Sequence, residues 1–474
     1  MIFRVVLISL LLAGEARELK SQPSLYGDWS GFRALVLEYH PTARQADLLV
    51  EQAEAELLRA RGGFDPKIYG DWSGKHFNNK RYFSYSEVGL KIPTWLGIEV
   101  KSNYNRASGI FVNPEASLPE QGQLAAGLHW ALGRGLFIDE RRADLRIGQI
   151  GLERSRAERA ALLNDLLYDA AKIYWDWVFF QNALSIYEEA LRQAQIRHEG
   201  IVQSFLQGDK PAIDTLEAYI QVQNRLLDVN FARVDLQNAA LAVATFLWGP
   251  NGDPAGLNGM PASTERLMAD TYPAPSAGFA RQLLSQAQFQ HPLLRAYDAK
   301  LRALEVERRL KAENRKPQLD LSYQLLGNGW QFFTTPGLDG PQILANDIKW
   351  GLHFSYPILN RKARGEWQMA QIKIAQNNLA LVQKRLEIVN KTQQYLNELD
   401  TLAGQVALYR DITNNYRRLL DGEYEKFRFG ESSVFLINTR EQRWLDAQIK
   451  YLKLLATYRK TEAALLWSAG VLPQ

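Results

Sequence analysis

Apolar residues recur every three or four positions over most of the chain, which is the spacing of one face of an α-helix. Long stretches without proline accompany this spacing, and proline in a helix interior costs about 3 kcal/mol. Helices are therefore predicted over 29–63, 139–206, 211–248, 276–315, 361–428 and 432–468. A helix of about 67 residues is on the order of 100 Å long. Such a length favours a coiled-coil structure over a compact domain.

Two of the predicted helices indicate how their faces pack. From Ile213, apolar residues at steps of three and four continue to Trp248, as in a coiled-coil seam. The helix over 432–468 carries two neighbouring stripes, one through Leu445 and one through Tyr451. Because each residue turns a helix by about 100°, the two stripes face two different neighbours, as in a tubular wall. A solid helical bundle is the alternative that this pattern leaves open.

Between the helices the period changes from 3.6 to 2. Within 65–132, and again within 317–357, apolar and aromatic residues alternate with small or polar ones. Alternating segments near ten residues suit transmembrane β-strands, although a half-buried soluble sheet alternates in the same way. A few strands cannot close a barrel alone. A barrel therefore requires several chains.

The two halves of the chain repeat one order of motifs. His-Pro at 40–41 recurs at 291–292, and Phe-x-x-Gly at 205–208 recurs at 427–430. Matching order indicates an internal duplication. We predict a first repeat over 17–248, a linker or equatorial segment over 249–275, and a second repeat over 276–474.

The N-terminus has the pattern of an export signal. Arg4 precedes an apolar run that ends at Ala13, and small residues follow at Gly14 and Ala16. Residues 1–16 are therefore predicted to be a secretory signal peptide, with a buried N-terminal helix as the alternative. Export without cysteine indicates a Gram-negative cell envelope.

Composition narrows the chemistry. The chain has 474 residues, no cysteine and six histidines, which excludes thiol catalysis and disulfide frameworks. Its 56 basic and 52 acidic residues give a net charge of +4 without a long basic run, which argues against a nucleic-acid partner. Nucleotide-binding glycine loops, His-Glu-x-x-His and Gly-x-Ser-x-Gly are absent from the sequence. We expect no enzyme activity, catalytic residue, cofactor or metal site.

Four motifs in a fixed order carry a family resemblance. They are Arg61-Gly62-Gly63-Phe64-Asp65-Pro66-Lys67, the stretch from Leu132 to Ala143, Tyr174-Trp175-Asp176-Trp177, and Gly208-x5-Asp214-x2-Glu217-Ala218. With the duplication, the chain resembles the TolC-like outer-membrane efflux protein family over about residues 25–470.

The resemblance implies a mainly α fold with transmembrane β-strands: a duplicated unit of long coiled-coil helices with inserted strands, assembled as a trimeric α/β-barrel channel. It implies a homotrimer with a 12-stranded barrel among outer membrane lipids and a helical tube in the periplasm. Such a protein is the exit channel of a tripartite efflux or type I secretion system, with a periplasmic adaptor protein and an inner-membrane transporter as partners. The alternative is a periplasmic coiled-coil scaffold or adaptor without a channel.

The resemblance also implies site residues near the ends of the long helices. The pore constriction is expected at Asp214, Glu217, Phe427 and Glu431, and the tip turns that dock the adaptor at Gly208 and Gly430. Two features depart from the family. Leu436 and Thr439 stand where many members have aspartates, and 65–132 is long enough for more than two strands.

Overall fold

A computed structural model describes residues 28–254, 267–330 and 347–472. The predicted signal peptide and residues 255–266 of the predicted linker lie outside the described residues. The helices are α1 (Trp29–Tyr39), α2 (Pro41–Arg61), α3 (Glu140–Leu206), α4 (Ala212–Ala244), α5 (Ala277–Phe289), α6 (Pro292–Glu313), α7 (Arg361–Arg428) and α8 (Val434–Ser468). The strands are β1 (Lys67–Phe77), β2 (Lys80–Pro93), β3 (Ile98–Ser108), β4 (Gln123–Ala131), β5 (Gln318–Leu326) and β6 (Ile348–Ser355).

Two of the shorter helices, α1 and α5, are preceded by residues whose side chains cap free backbone N–H groups. The Asp28 carboxylate accepts a hydrogen bond from Gly31 N at 3.2 Å, and the Ser276 hydroxyl accepts one from Phe279 N at 3.2 Å. The long helix α4 ends at Ala244 rather than at the predicted residue 248, because Trp248 leaves the helix and forms a β-bridge with Pro254.

The chain divides into two compact units. The first comprises Met1–Pro41, Asp169–Ala274 and Thr401–Lys460, and the second comprises Thr42–Tyr168, Pro275–Asp400 and Thr461–Gln474, each over its described residues. Each unit takes segments from both halves of the sequence. The boundaries of the compact units therefore do not coincide with the boundaries of the two sequence repeats.

An aromatic cluster forms part of the core of the first unit. Phe32 stacks on Tyr174 with ring centroids 5.2 Å apart, and Trp29 lies 5.4 Å from the same ring. Phe32 and Tyr174 are almost fully buried. Asp176 accepts a hydrogen bond from Lys460 Nζ at 2.6 Å. The Tyr-Trp-Asp-Trp motif is thus accounted for by packing and one ion pair.

In α4, the face that packs in the first unit is the opposite of the predicted seam. Small residues and one arginine are buried there: Ala218, Arg225, Val229, Ala232, Ala239 and Val243. The seam that starts at Ile213 is exposed in a single chain. Helix α4 therefore has two apolar faces: an exposed seam of large residues and a buried face of mostly small ones.

The second unit contains one six-stranded antiparallel sheet in the order β1-β2-β3-β4-β5-β6. Four of the strands lie within 65–132, where the sequence left their number open. Asn78 and Asn79, at φ 49° and 57°, form the two-residue turn between β1 and β2, as a type I′ hairpin requires.

The two faces of the sheet differ in polarity. One carries polar residues such as Tyr69, Glu87 and Asn103. The Tyr69 hydroxyl and the Asn103 side-chain amide donate hydrogen bonds of 2.8 and 3.2 Å to the Glu87 carboxylate. The other carries large apolar residues that are exposed: Ile68, Trp72, Val88, Val100, Leu128, Trp130, Trp350, Leu352 and Phe354. The alternation with period 2 therefore separates a polar face from an apolar one.

Residues 461–472 anchor the helical part of the second unit. Trp467 Nε1 donates to Asp165 Oδ1 at 2.6 Å. The Asn164 side chain donates to Trp467 O at 2.8 Å and accepts from Leu472 N at 3.2 Å. Asn164 and Leu472 are both buried, so these hydrogen bonds satisfy polar groups in the interior.

Among the described helices, none combines the length and the apolar character needed to cross a bilayer.

Candidate functional site

The two predicted tip turns share one backbone geometry. Gly208 and Gly430 have φ of 83° and 79°, in the left-handed region that favours glycine. After α3, Gly208 N donates to Phe205 O and Asp209 N donates to Ser204 O, both at 2.9 Å. The turn after α7 repeats this pair of bonds. Both helices therefore end in a Schellman motif.

The predicted acidic residues of the first repeat lie at the start of α4. Asp214 is in the first helical turn and is half-buried, where a carboxylate interacts favourably with the helix dipole. Glu217, also half-buried, accepts a hydrogen bond from Asn438 Nδ2 at 3.5 Å. Glu217 thus connects α4 to α8.

Beyond Asn438 the polar contacts continue through a buried ion pair. Arg197 on α3 donates to Asn438 Oδ1 at 2.7 Å and to Glu441 Oε1 at 2.5 Å. The side chains of Arg197 and Glu441 are only 11% and 6% exposed. The guanidinium also lies 6.0 Å from the ring of Tyr424 on α7. We call Glu217, Asn438, Arg197, Glu441 and Tyr424 the polar network; it connects all four long helices within the first unit.

Burial raises the pKa of the Tyr424 hydroxyl above its ordinary value, while the nearby Arg197 opposes that shift. Tyr424 is therefore a neutral hydroxyl at physiological pH. The charge of Arg197 is compensated by the Glu441 carboxylate instead.

Phe427 belongs to a small apolar cluster at the helix ends. Its ring packs against Ile201, Ala218 and Val434, which are buried. The Lys210 ammonium lies 4.5 Å from the centre of the ring, within the range of a cation–π interaction. In a single chain Phe427 is thus a packing residue between helix ends.

A second set of polar contacts fixes the turn that contains Gly430. The Ser432 hydroxyl donates to Glu423 Oε1 at 2.6 Å, and Arg440 Nε donates to Glu423 Oε2 at 3.3 Å. The hydrogen bond from Ser432, with a smaller contribution from Arg440, holds the pKa of Glu423 below its ordinary value. Glu431, beside the turn, is exposed.

A groove of about 950 Å³ runs beside the polar network in the first unit. Arg197, Tyr424 and Glu441 contribute to its lining, as does Trp444, whose ring lies 4.6 Å from the Arg417 guanidinium. Within 28–254, 267–330 and 347–472, no group of three or more histidine, aspartate or glutamate side chains is arranged to hold a metal.

The structure brings only part of the predicted site together in one chain. Glu217 joins the polar network, and Phe427 packs in the apolar cluster, whereas Glu431 is exposed beside the turn. Arg197 and Glu441 were not predicted from the sequence. In the sequence they are one basic and one acidic residue on two separate helices. Nothing in the sequence distinguishes such a buried pair from two solvent-exposed charges.

Comparison with known proteins defines the class. A family model described as outer membrane efflux protein matches residues 283–471. No curated protein sequence matches the chain.

Solved structures of outer membrane channels have a similar fold. CmeC of Campylobacter jejuni superimposes with a TM-score of 0.65 at 14% identity, over 94% of this chain and 85% of that chain. MtrE of Neisseria gonorrhoeae, in its open state, superimposes with a TM-score of 0.65 at 15% identity, over 93% of this chain and 88% of that chain. VceC of Vibrio cholerae superimposes with a TM-score of 0.63 at 12% identity, over 93% of this chain and 95% of that chain.

The resemblance to the TolC-like outer membrane efflux proteins is thereby confirmed. Residues 283–471 match the family model, and the fold over most of the chain, mainly helical with antiparallel strands, is that of the solved outer membrane channels. These findings support the role of an efflux exit channel. It lies in the outer membrane with its helical part in the periplasm. The family and the similar structures are channels rather than enzymes, and the alternative of a scaffold without a channel is set aside.

Proposed function

We propose that three copies of this chain form one channel, which a periplasmic adaptor protein connects to an inner-membrane transporter. The observation that carries the proposal is the exposed seam of α4. Large apolar side chains follow one face of this helix and remain exposed in a single chain: Ile213, Leu216, Ile220, Leu227, Phe231, Val234 and Leu241. An apolar surface of this length marks a protein interface.

The spacing of the seam supports the choice of a second copy as its partner. Apolar residues spaced by three and four form knobs that fit between those of another long helix. Phe231 and Ile213 are 69% and 65% exposed, so they are available for this packing. On α7, the second unit carries a comparable exposed stripe, which consists of Met369, Ile372, Leu379, Val382 and Leu386.

In the assembled channel we place the constriction near the start of α4 and the adaptor contact at the two turns. Three copies of Asp214 surround one axis, and a ring of carboxylates attracts cations and repels anions. The side chains at 436 and 439, a leucine and a threonine, add no charge to this ring. The turns at Gly208 and Gly430 are open, since a Cβ added at either glycine would meet no neighbouring atom within 4 Å, as a docking surface requires.

Cross-linking in native membranes tests the trimer. The wild-type chain should give a ladder that ends at three, whereas Phe231→Glu should stop at one because a buried charge opposes the interface. Gln237→Glu is the matched control, since Gln237 is exposed on the same helix outside the seam. A wild-type monomer or dimer after gentle detergent extraction would contradict the proposal.

A further inference from the structure

The six-stranded sheet has two open edges among the described residues, one on β1 and one on β6. We propose that β1 of one copy pairs with β6 of the next, so that three copies close a barrel of 18 strands rather than 12. The inference rests on the trimer proposed above. It goes beyond that proposal by naming the contact between copies and by assigning β1 and β2 to the barrel wall.

Continuous pairing supports the inclusion of all six strands. β1 pairs with β2 from Lys67 to Phe77, and β2 pairs with β3 from Ser84 to Pro93. Both ladders are as long as a transmembrane strand of about 9–11 residues. Because successive strands alternate in direction and their number is even, β6 of one copy meets β1 of the next in antiparallel orientation.

The register gives the stagger of the sheet. A row of directly paired residues starts at Lys67 on β1 and ends at Lys349 on β6, passing through Lys91, Lys101, Gly127 and Gln324. Lys67 is the first residue of β1, and Ser355 is the last residue of β6, six positions after Lys349. If closure brings Lys67 opposite Ser355, each copy contributes a stagger of six residues.

This stagger yields a normal barrel. Three copies give a shear of about 18 residues over about 18 strands; with ~3.3 Å per residue and ~4.8 Å between strands, the strands tilt by about 35°. That value falls within the range of about 35–45° found in membrane barrels. At this tilt the backbone diameter is about 34 Å, against about 23 Å for 12 strands.

The chemistry of the two edges agrees with this register. An even stagger places the polar face of β1 beside the polar face of β6, and the apolar face beside the apolar face. On the apolar side Trp72 meets Trp350 and Ile68 meets Phe354, and all four side chains are exposed in a single chain. Aromatic and apolar cross-strand pairs of this kind stabilise a sheet.

Engineered disulfides test the contact, and the cysteine-free chain provides a clean background. In the proposed register Asp71 lies opposite Gly351, at the distance of about 4.5–5.5 Å between Cα atoms that antiparallel pairs have and disulfides accept. The variant Asp71→Cys with Gly351→Cys should give dimers and trimers that reduction converts to monomers. The control pairs Asp71→Cys with His353→Cys, which the same register offsets by two residues and separates by more than about 7 Å.

Chemical cross-linking of the same membranes separates the possible failures. Trimers that form without the disulfide would overturn the edge contact and leave the trimer intact, whereas loss of all trimers would contradict the proposed assembly itself. Electron microscopy of the extracted wild-type trimer provides an independent count. We expect 18 strands in the barrel wall, and a count of 12 would overturn the inference.

Discussion

Removing the carboxylate of the buried ion pair should loosen the helix ends of the first unit. In Glu441→Ala, Arg197 keeps its 2.7 Å hydrogen bond to Asn438 and its contact with Tyr424, but it loses its only carboxylate partner among the described residues. The guanidinium remains buried, and leaving a buried charge uncompensated costs about 3–5 kcal/mol. The remaining contacts place the expected cost near the lower bound, at about 3 kcal/mol.

Limited proteolysis measures this cost locally. When opening and closing are fast, the rate of cleavage follows the population of the open state, and about 3 kcal/mol corresponds to a change of roughly 100-fold. We expect trypsin to cut after Arg192, which precedes Arg197 on α3 by about one and a half turns, roughly 100-fold faster in Glu441→Ala than in the wild type. The substitution leaves this cleavage site unchanged.

An exposed pair in the same unit is the matched control. Arg428 and Glu425 are 2.9 Å apart, with side chains 72% and 61% exposed. Exposed pairs contribute about 0–1 kcal/mol, so Glu425→Ala should change the cleavage rate by less than about five-fold. The double variant Arg197→Met with Glu441→Leu should restore protection, since apolar replacements of buried ion pairs are often neutral. Equal cleavage rates in Glu441→Ala and Glu425→Ala would show that the buried ion pair does not stabilise this part of the first unit.

Three further predictions concern the turns, the acidic ring and one buried histidine. The double variant Gly208→Leu with Gly430→Leu should abolish export while trimers remain in the outer membrane, because a bulky side chain at each open turn obstructs adaptor docking and the left-handed φ adds strain of about 1–2 kcal/mol. Gly200→Leu, at an open helical position, is the control. Asp214→Asn should reduce cation preference in planar bilayers, and a stability loss of about 0.3–1 kcal/mol without altered preference would identify a helix-dipole residue instead. Burial, and secondarily Lys384, lowers the pKa of His291 to about 4. The native state therefore binds fewer protons than the unfolded chain between about pH 6.5 and 4. Stability should fall across this window on acidification, by up to about 3 kcal/mol, and thermal unfolding of His291→Asn should lack that pH-dependent loss.

Hydrophobic periodicity predicted much of the secondary structure because it depends on one residue at a time. The predicted helix over 361–428 coincides with α7. The number of strands in 65–132 did not follow from alternation, since alternation identifies the faces and not the turns. In α4 the large residues suggested the packed face, whereas Ala218 and Ala232 pack in the chain. Small residues carry little hydrophobic signal.

The candidate site was predictable only where one residue type suffices. Gly208 and Gly430 were recognisable because a left-handed turn selects glycine. The pair of Arg197 and Glu441 spans 244 positions of sequence. Whether two such charges meet in the interior depends on how α3 and α8 pack, and a single sequence does not contain that information.

The anchoring of Leu472 by Asn164 has a consequence for biogenesis. The second unit, which includes the whole β-sheet, combines the segments Thr42–Tyr168 and Pro275–Asp400 with residues 461–472. Its core therefore remains incomplete until residues 461–472 have been synthesised and delivered, and contacts at such sequence separation form slowly. Until then the buried Asn164 lacks the backbone partners that Trp467 and Leu472 supply, and incompletely packed chains of this size are prone to aggregation.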